Sequence, residues 1–133
     1  MNLVHLVKKS PDFVFGYLTD MQKFVSVHPV IFKIENLKGR EYLVYEKLKL
    51  GFIPYSFTYK VTVEGNEETR MVLIKATVMK LVNIEMIFKL EADGDNCIVN
   101  EIINFKTILP VVSIMSNIFK EQHNQLFMNI GAA

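Results

Sequence analysis

The stretch SPDFVFGYLTDMQKFVSVHPVI, residues 10–31, decides the fold because it is helical in a chain whose next eighty residues read as strands. Ser10 is a favourable N-cap, since its hydroxyl can accept a hydrogen bond from a free N–H of the first turn. Pro11 suits the first helical position, and Asp12 lies close to the positive end of the helix dipole. A helix is therefore predicted to begin directly after Ser10.

The same stretch also shows where this helix stops and where a second one follows. Phe13, Tyr17 and Leu18 fall on one face of the first helix, which predicts that this face is buried. Asp20 offers a break and a second N-cap. Pro29 ends the second helix, because the residue before a proline avoids helical backbone angles. Two short consecutive helices are the prediction.

Strand patterns surround this helical pair. Residues 2–9 form a plausible first strand, and from Val30 onward apolar and polar residues alternate, as in strands with one buried face. Turn-forming residues separate the later strands at Gly39, Gly51, Gly65 and Gly94, whereas the boundary at residues 79–80 carries neither glycine nor proline. Short sequential strands joined by tight turns predict an antiparallel meander with one solvent-facing side.

The segment from Pro110 to about Ile130 returns to helical periodicity. Its apolar stripe consists of Val111, Met115, Ile118, Phe119, Leu126 and Ile130. Such an amphipathic helix needs the sheet to cover it. The predicted fold is α+β: a curved antiparallel sheet of about seven strands wrapped around a long C-terminal helix, with two short helices after the first strand, in a single domain of residues 1–133.

Composition excludes several classes of protein. Half of the 133 residues are hydrophobic, and the formal net charge of +1 comes without a basic stripe, so nucleic-acid binding is not expected. Cys97 is the single cysteine, which rules out an intrachain disulfide. The N-terminus lacks a signal-peptide pattern, and residues 108–119 are too short to span a bilayer. We expect a cytoplasmic protein without stable membrane insertion.

Three stretches carry a family resemblance: SPDFVFGYLTDMQKF with HPVI soon after it, the multi-strand middle, and IFKEQHNQLF in the last helix. Together they resemble the START-like superfamily, also called SRPBCC or the helix-grip, birch-pollen-allergen-like fold, which includes polyketide cyclase-like proteins. The resemblance covers nearly the whole chain. It implies the helix-grip fold, and it implies no single reaction, because the family holds lipid carriers, cyclases, hydroxylase domains and chaperone-associated modules.

Motifs for phosphate, metal or nucleophilic chemistry are not found in the sequence. The glycines stand alone at turns, and no serine lies in a nucleophile-elbow motif. His5, His28 and His123 show no ligand spacing, so no metal or cofactor is expected. We expect His28 to bond a carbonyl at the end of the second helix, with a role at the mouth of a pocket as the alternative, and His123 to lie at the interface of the last helix. The catalytic residues stay unknown.

Glu101 is the polar residue of greatest interest. In the strand CIVNEIINF it shares one face with Cys97, Val99 and Ile103, which places it on the inward face. It precedes the turn into the helix by roughly 20 Å of strand, and Gln122 follows that turn by roughly 18 Å of helix. We therefore expect Glu101 and Gln122 to approach one another inside the groove. The alternatives are a glutamate paired with a lysine or tyrosine at the mouth, or one exposed beyond a bulge.

A groove between sheet and helix predicts a binding site for a small molecule. Burial would raise the pKa of an inward glutamate and suit it to acid–base work, and flexible methionines suit an adaptable wall. The candidate ligand-binding residues are Tyr42, Glu46, Phe57, Tyr59, Ile74, Met86, Phe88, Glu101, Met115, Phe119 and Gln122.

Three functions are open at this point. The first is binding or carrying a hydrophobic small molecule such as a lipid, isoprenoid or polyketide, for which burying about ten methylenes releases roughly 8 kcal/mol. The second is a cyclase or dehydratase that uses a cavity carboxylate. The third is a protein-interaction module, monomeric or homodimeric, because Leu73 and Ile87 break the polar alternation of the outer face.

Overall fold

The elements of the protein follow the predicted order in a computed structural model that describes residues 1–50 and 52–133, apart from the side chain of Leu50. The turn expected at Gly51 lies outside the described residues. The elements are β1 (Asn2–Val7), α1 (Pro11–Thr19), α2 (Met21–Val27), β2 (Ile31–Lys38), β3 (Glu41–Leu50), β4 (Ile53–Asn66), β5 (Met71–Val78), β6 (Val82–Asp93), β7 (Asn96–Lys106) and α3 (Val112–Ala132).

The seven strands form one antiparallel sheet in the order β1-β7-β6-β5-β4-β3-β2. Strands β2 to β7 pair with their neighbours in the chain, whereas β1 joins the sheet at the opposite edge by pairing with β7, where Leu3 lies opposite Glu101 and Val7 opposite Cys97. The helices α1 and α2 therefore connect the two edges of the sheet. The predicted α+β class, the strand number and the helix-grip arrangement are confirmed.

Both helix caps lie where the sequence predicts them. The Ser10 hydroxyl accepts a hydrogen bond from the Phe13 N–H at 3.2 Å. The Asp20 carboxylate accepts from the N–H groups of Gln22 at 3.0 Å and Lys23 at 3.3 Å. The first strand ends at Val7, two residues earlier than predicted, because the chain must bend before the cap can form.

The buried face of α1 differs from the predicted one. Val14 and Leu18 are fully buried, whereas Phe13 and Tyr17 lie at the margin, where their ring centroids are 5.0 Å apart. The inward stripe of α1 runs through Val14 and Leu18, one helical turn apart, and the helix closely approaches the end of β4. A Cβ atom at Gly65 would lie only 2.8 Å from the Thr19 side chain, so this contact requires the glycine.

The turn between β5 and β6 explains the missing signal at residues 79–80. Met79 and Lys80 both adopt left-handed backbone angles, with φ of 54° and 58°. These are the positive angles of the tight turns that suit antiparallel hairpins, and asparagine or glycine usually occupies them. Here a methionine and a lysine adopt these angles. Neither is a typical turn-forming residue, so the sequence does not indicate this turn.

The long helix α3 has two differently packed halves. We call residues 123–132 the packed half, because its four buried side chains, His123, Leu126, Phe127 and Ile130, include three that join the hydrophobic core. We call residues 112–122 the cavity half; its side chains are half-buried or exposed. Asn129 donates a hydrogen bond to the Val27 carbonyl at 2.8 Å, which ties the packed half to α2. None of the described helices combines the length and hydropathy required to cross a membrane.

Candidate functional site

A cavity of about 140 Å³ lies between the concave face of the sheet and α3. Its wall is predominantly apolar, and its polar side chains are five: His28, Glu46, Tyr59, Gln122 and His123. The apolar lining consists of Met21, Phe24, Ile31, Ile34, Val44, Leu48, Phe57, Val61, Val63, Ile74, Ala76, Val78, Ile84, Met86, Phe88, Met115, Ile118, Phe119 and Leu126.

An outer groove adjoins the cavity beside the cavity half of α3. Leu48, Ile118 and Gln122 line both spaces, so these three side chains separate the cavity from the groove. The remaining groove residues are Pro29, Val30, Lys49, Glu121 and Gln125. We call this boundary between β3 and α3, where the cavity and the groove meet, the mouth of the site.

Glu101 forms the centre of a buried cluster next to the cavity. The inward position predicted for it is confirmed, since its side chain is fully buried. His5 Nε2 lies 3.0 Å from Glu101 Oε1, and His123 Nδ1 hydrogen-bonds Glu101 Oε2. Burial raises the pKa of Glu101, but the hydrogen bonds and charges of His123 and His5 outweigh burial and bring that pKa below its ordinary value. The cluster joins β1, β7 and α3.

The ionised carboxylate fixes the protons of both histidines. A carboxylate only accepts hydrogen bonds, so His5 Nε2 and His123 Nδ1 each donate an N–H to Glu101. His123 Nε2 has no hydrogen-bond partner among the described residues. Every fully enclosed side-chain nitrogen or oxygen among those residues has a partner, so Nε2 is not fully enclosed. The His123 ring lines the cavity, and with Nδ1 bonded to Glu101, Nε2 is the ring nitrogen that is available to a bound molecule.

Glu46 and Tyr59 form a second polar pair on the sheet side of the cavity. The Tyr59 hydroxyl donates a hydrogen bond to Glu46 Oε1 at 2.7 Å. Burial raises the pKa of Glu46 above its ordinary value, against the opposing effects of the Tyr59 hydrogen bond and the charge of His123. Burial and the neighbouring carboxylate of Glu46 raise the pKa of Tyr59 well above its usual range. Tyr59 therefore stays a phenol, and Glu46 keeps its proton to a higher pH than an exposed glutamate.

His28 lines the cavity beside the end of α2. The prediction that its side chain bonds a carbonyl at the helix end is wrong. Instead of donating to a carbonyl, His28 Nδ1 accepts from the N–H groups of Val30 at 3.2 Å and Ile31 at 3.0 Å. Because the chain turns at Pro29, these two N–H groups lie beyond the end of α2 and cannot bond a helical carbonyl. The imidazole accepts their hydrogen bonds instead. Burial, with the charge of His123, lowers the pKa of His28 to about 3. The ring is neutral, with its proton on Nε2.

The structure brings most of the predicted site residues to this cavity. Nine of them line it: Glu46, Phe57, Tyr59, Ile74, Met86, Phe88, Met115, Phe119 and Gln122. Tyr42 does not, because it precedes Val44 and Glu46 on β3 and packs against the core nearer the β2–β3 turn. Glu101 does not line the cavity either, because its carboxylate is enclosed by His5 and His123.

The histidines are the residues that the sequence reasoning missed. Strand and helix lengths predict that Glu101 meets Gln122, but the Glu101 carboxylate bonds His123, the next residue along α3. His5 lies on the same face of β1 as Leu3 and Val7, but Val4 and Leu6 make the opposite face equally apolar, so the sequence carries no clear signal for its inward position. Among the described residues, no group of three or more histidine, cysteine, aspartate or glutamate side chains is placed to hold a metal ion.

The similarities of this chain are structural. No protein-family model and no curated protein sequence matches it. The crystal structure of Ara h 8.0201 superposes with a TM-score of 0.80 at 15% sequence identity, over 99% of this chain and 94% of that one. A START superfamily protein from Mycobacterium smegmatis gives 0.80 at 11% identity, over 99% and 94% of the two chains.

A third structure comes from an enzyme. The ZhuI aromatase/cyclase from Streptomyces sp. R1128 gives a TM-score of 0.72 at 9% sequence identity, over 99% of this chain and 90% of that one. At such identities the likeness shows the fold alone.

Proposed function

We propose that this chain, which has the helix-grip fold of START-like proteins, binds a compact hydrophobic small molecule between its sheet and α3. The observation that carries the proposal is the cavity itself, whose wall is apolar except for five polar side chains. Apolar pockets with a few convergent polar groups are typical of small-molecule sites. The structural likeness to proteins of the START superfamily supports the same class of function.

The volume of the cavity favours a small ligand over a long acyl chain. A cavity of about 150 Å³ lined by aliphatic and aromatic side chains accepts benzene, and this one measures about 140 Å³. A chain of ten methylenes has more heavy atoms than such a space holds. We therefore propose a ligand with one ring, or a short branched isoprenoid or polyketide unit, whose remainder extends past Leu48 and Ile118 into the outer groove.

Polar groups have to contribute to affinity at this ligand size. Burying about six carbons yields about 5 kcal/mol, and association itself costs at least about 4 kcal/mol. A hydrogen bond to Gln122, Glu46 or His123 adds about 1 kcal/mol, or more if one partner is charged. A hydrophobic molecule with one oxygen-bearing group fits this balance better than a pure hydrocarbon.

Methyl resonances of methionine give a direct test. Met21, Met86 and Met115 line the cavity, whereas Met79 and Met128 are exposed. With methionine methyl groups labelled by carbon-13, titration with indole should shift the three cavity resonances in a saturable manner and leave the two exposed ones unchanged. Uniform shifts at all five, or none at saturating indole, would contradict the proposal.

Two leucine substitutions on β5 provide a matched pair for this titration. Ala76 lines the cavity and the preceding Lys75 is exposed on the outer face. Ala76→Leu should fill part of the cavity and weaken indole binding by at least about tenfold, while Lys75→Leu should leave the binding unchanged. Equal affinities in both variants would place the indole elsewhere.

In the enzyme hypothesis, the structure replaces Glu101 with Glu46 as the candidate catalytic carboxylate. A cyclase or dehydratase that uses a carboxylate of the cavity would have to use Glu46, since both Glu101 oxygens already bind histidines. The interaction-module hypothesis retains an apolar row on the outer face of the sheet, in which Leu73 lies opposite Ile87 and Ile87 lies opposite Ile102.

A further inference from the structure

The buried cluster of Glu101 with two histidines has a feature that ligand binding alone does not require. One of its rings, His123, is oriented by a carboxylate on one side and faces an apolar cavity on the other. We propose that His123 Nε2 acts as a general base on a carbon acid bound in the cavity, with Glu101 as the positioning residue. The inference rests on the proposed function, because it needs a small molecule in that cavity.

The hydrogen bond to Glu101 prepares His123 for this role. An imidazole can accept a proton only at the nitrogen that lacks one. Because Nδ1 donates to the carboxylate, the free electron pair of His123 is at Nε2, and the His123 ring is part of the cavity wall. When Nε2 takes up a proton, the positive charge forms next to the negative carboxylate, which stabilises it. A base that is held and balanced in this way recurs in unrelated enzymes.

The carboxylate is itself held by the other histidine. His5 Nε2 binds Glu101 Oε1 at 3.0 Å, and the His5 ring stacks on Phe127 with centroids 4.3 Å apart. Phe119 packs edge-on against the His123 ring at 5.3 Å. Neither the carboxylate nor the imidazole is free to rotate away, so the base keeps its orientation without a ligand. Such preorganisation lowers the reorganisation needed during a proton transfer.

Glu46 supplies a hydrogen-bond donor within the same cavity. Tyr59 occupies Glu46 Oε1, so Oε2 is the oxygen that stays available to a ligand. When that carboxyl group holds its proton, it can donate a hydrogen bond to a carbonyl oxygen that gains negative charge. The substrate class that fits a base and such a donor is a compact hydrophobic carbonyl compound with an acidic C–H beside the carbonyl.

The reaction balances without a co-reactant. His123 Nε2 accepts the proton, the C–H electron pair forms a C=C bond, and the carbonyl π pair moves onto the oxygen, which accepts a hydrogen bond from Glu46. In a substrate whose next two carbons share a C=C bond, a β,γ-unsaturated carbonyl compound, His123 then returns the proton to the γ-carbon, the carbonyl re-forms, and the C=C bond moves into conjugation with it. The net result is an isomerisation, in which no electrons leave the substrate.

An activated carbon acid can test the base directly. In 5-nitrobenzisoxazole, removal of the C–H proton sends its electron pair into a C≡N bond while the N–O bond breaks, and the product is a coloured phenolate. We expect the protein to convert this probe with saturation, faster than the same concentration of free imidazole. His123→Ala should lower the turnover by about 10²-fold or more, the usual contribution of a positioned base.

Two further measurements separate catalysis from a structural role of the cluster. Added imidazole should restore turnover in His123→Ala by occupying the vacated space, which a merely misfolded variant would not show. Glu101→Gln should lower turnover and change the nitrogen-15 shifts of His123, because an amide no longer dictates that Nδ1 carries the proton. Asn124→Ala, on the exposed side of α3 next to His123, should change neither.

The outcomes distinguish this inference from the proposed function. Probe-induced shifts of the Met86 and Met115 methyl groups without turnover above free imidazole would overturn the general base and leave ligand binding intact. Turnover that persists in His123→Ala without added imidazole would overturn it as well. If a saturating concentration of the probe produced no methyl shifts and no turnover, both proposals would be contradicted.

Discussion

The two halves of α3 carry the same apolar stripe but meet different surroundings. Ile130 in the packed half is fully buried within the core, whereas Ile118 in the cavity half is partly exposed and borders an open space. The sheet curves past both. The difference comes from what lies beneath: the packed half is tied to α2 by Asn129 and to β7 and β1 through Glu101, whereas the cavity half faces the hollow.

This contrast shows what an amphipathic pattern can specify. Periodicity requires that a face be covered, because exposed apolar surface is unfavourable in water. Whether the covered volume is also filled depends on the sizes of side chains contributed by several strands and helices. One helix can therefore support the fold with one half and form the wall of a site with the other.

The largest effect is expected when the cluster that anchors the packed half is broken. Glu101→Ala removes the acceptor of both histidines and leaves two buried imidazoles without it, which should cost about 3–5 kcal/mol of unfolding free energy. Urea denaturation followed by circular dichroism measures this loss. Glu101→Gln, which keeps the shape, should lose less. A loss below about 1 kcal/mol for Glu101→Ala would show that the cluster does not anchor α3.

The next largest effect concerns Ile130 itself. Ile130→Ala leaves a void in the core, because the neighbouring side chains of a close-packed interior relax only in part. We expect a loss of about 2–5 kcal/mol in the free energy of unfolding, the usual range for buried aliphatic residues truncated to alanine. A loss of less than about 1 kcal/mol would mean that the packed half is less tightly packed than its full burial indicates.

The architecture was predictable from the sequence because each element carries a local signal. The caps at Ser10 and Asp20 and the alternation in β4 depend on neighbouring residues alone. The site was predictable only in part. The alternation of β7 places Glu101 inward, but its bond to His5 joins residues 96 positions apart and depends on β1 pairing with β7. Nothing local to either residue reports that pairing.

The pH dependence of stability should show the effect of His28 at the cavity. Its pKa is lowered from 6.5 to about 3, so the unfolded chain binds the proton first and folding loses stability as the pH falls below 6.5. Between about pH 8 and about pH 5 the loss should reach at most about 2 kcal/mol. Urea denaturation at several pH values measures it.

A matched variant isolates this effect from the carboxylates. Glu46 acts in the opposite sense, since a raised pKa favours the folded state as the pH falls. The lowered pKa of Glu101 matters only in more acidic solution, around and below its ordinary value of 4.5. His28→Gln keeps an acceptor for the two N–H groups but cannot titrate, so its stability should depend less on pH over this range. Identical pH slopes in both proteins would contradict the assignment.

The smallest effect is expected in the cavity half, and it completes a series of three isoleucines on one helix. Ile118→Ala creates no new enclosed void, because its side chain already borders open space, so we expect a loss of about 1 kcal/mol in unfolding free energy. Ile114, which is 63% exposed, should change by less than about 0.5 kcal/mol when replaced by alanine. Ile118→Ala should also widen the mouth and admit naphthalene, a larger probe than indole, as seen in the methyl shifts of Met115. If Ile118→Ala instead costs as much as Ile130→Ala, the cavity half is packed like the core, and the distinction between the halves fails.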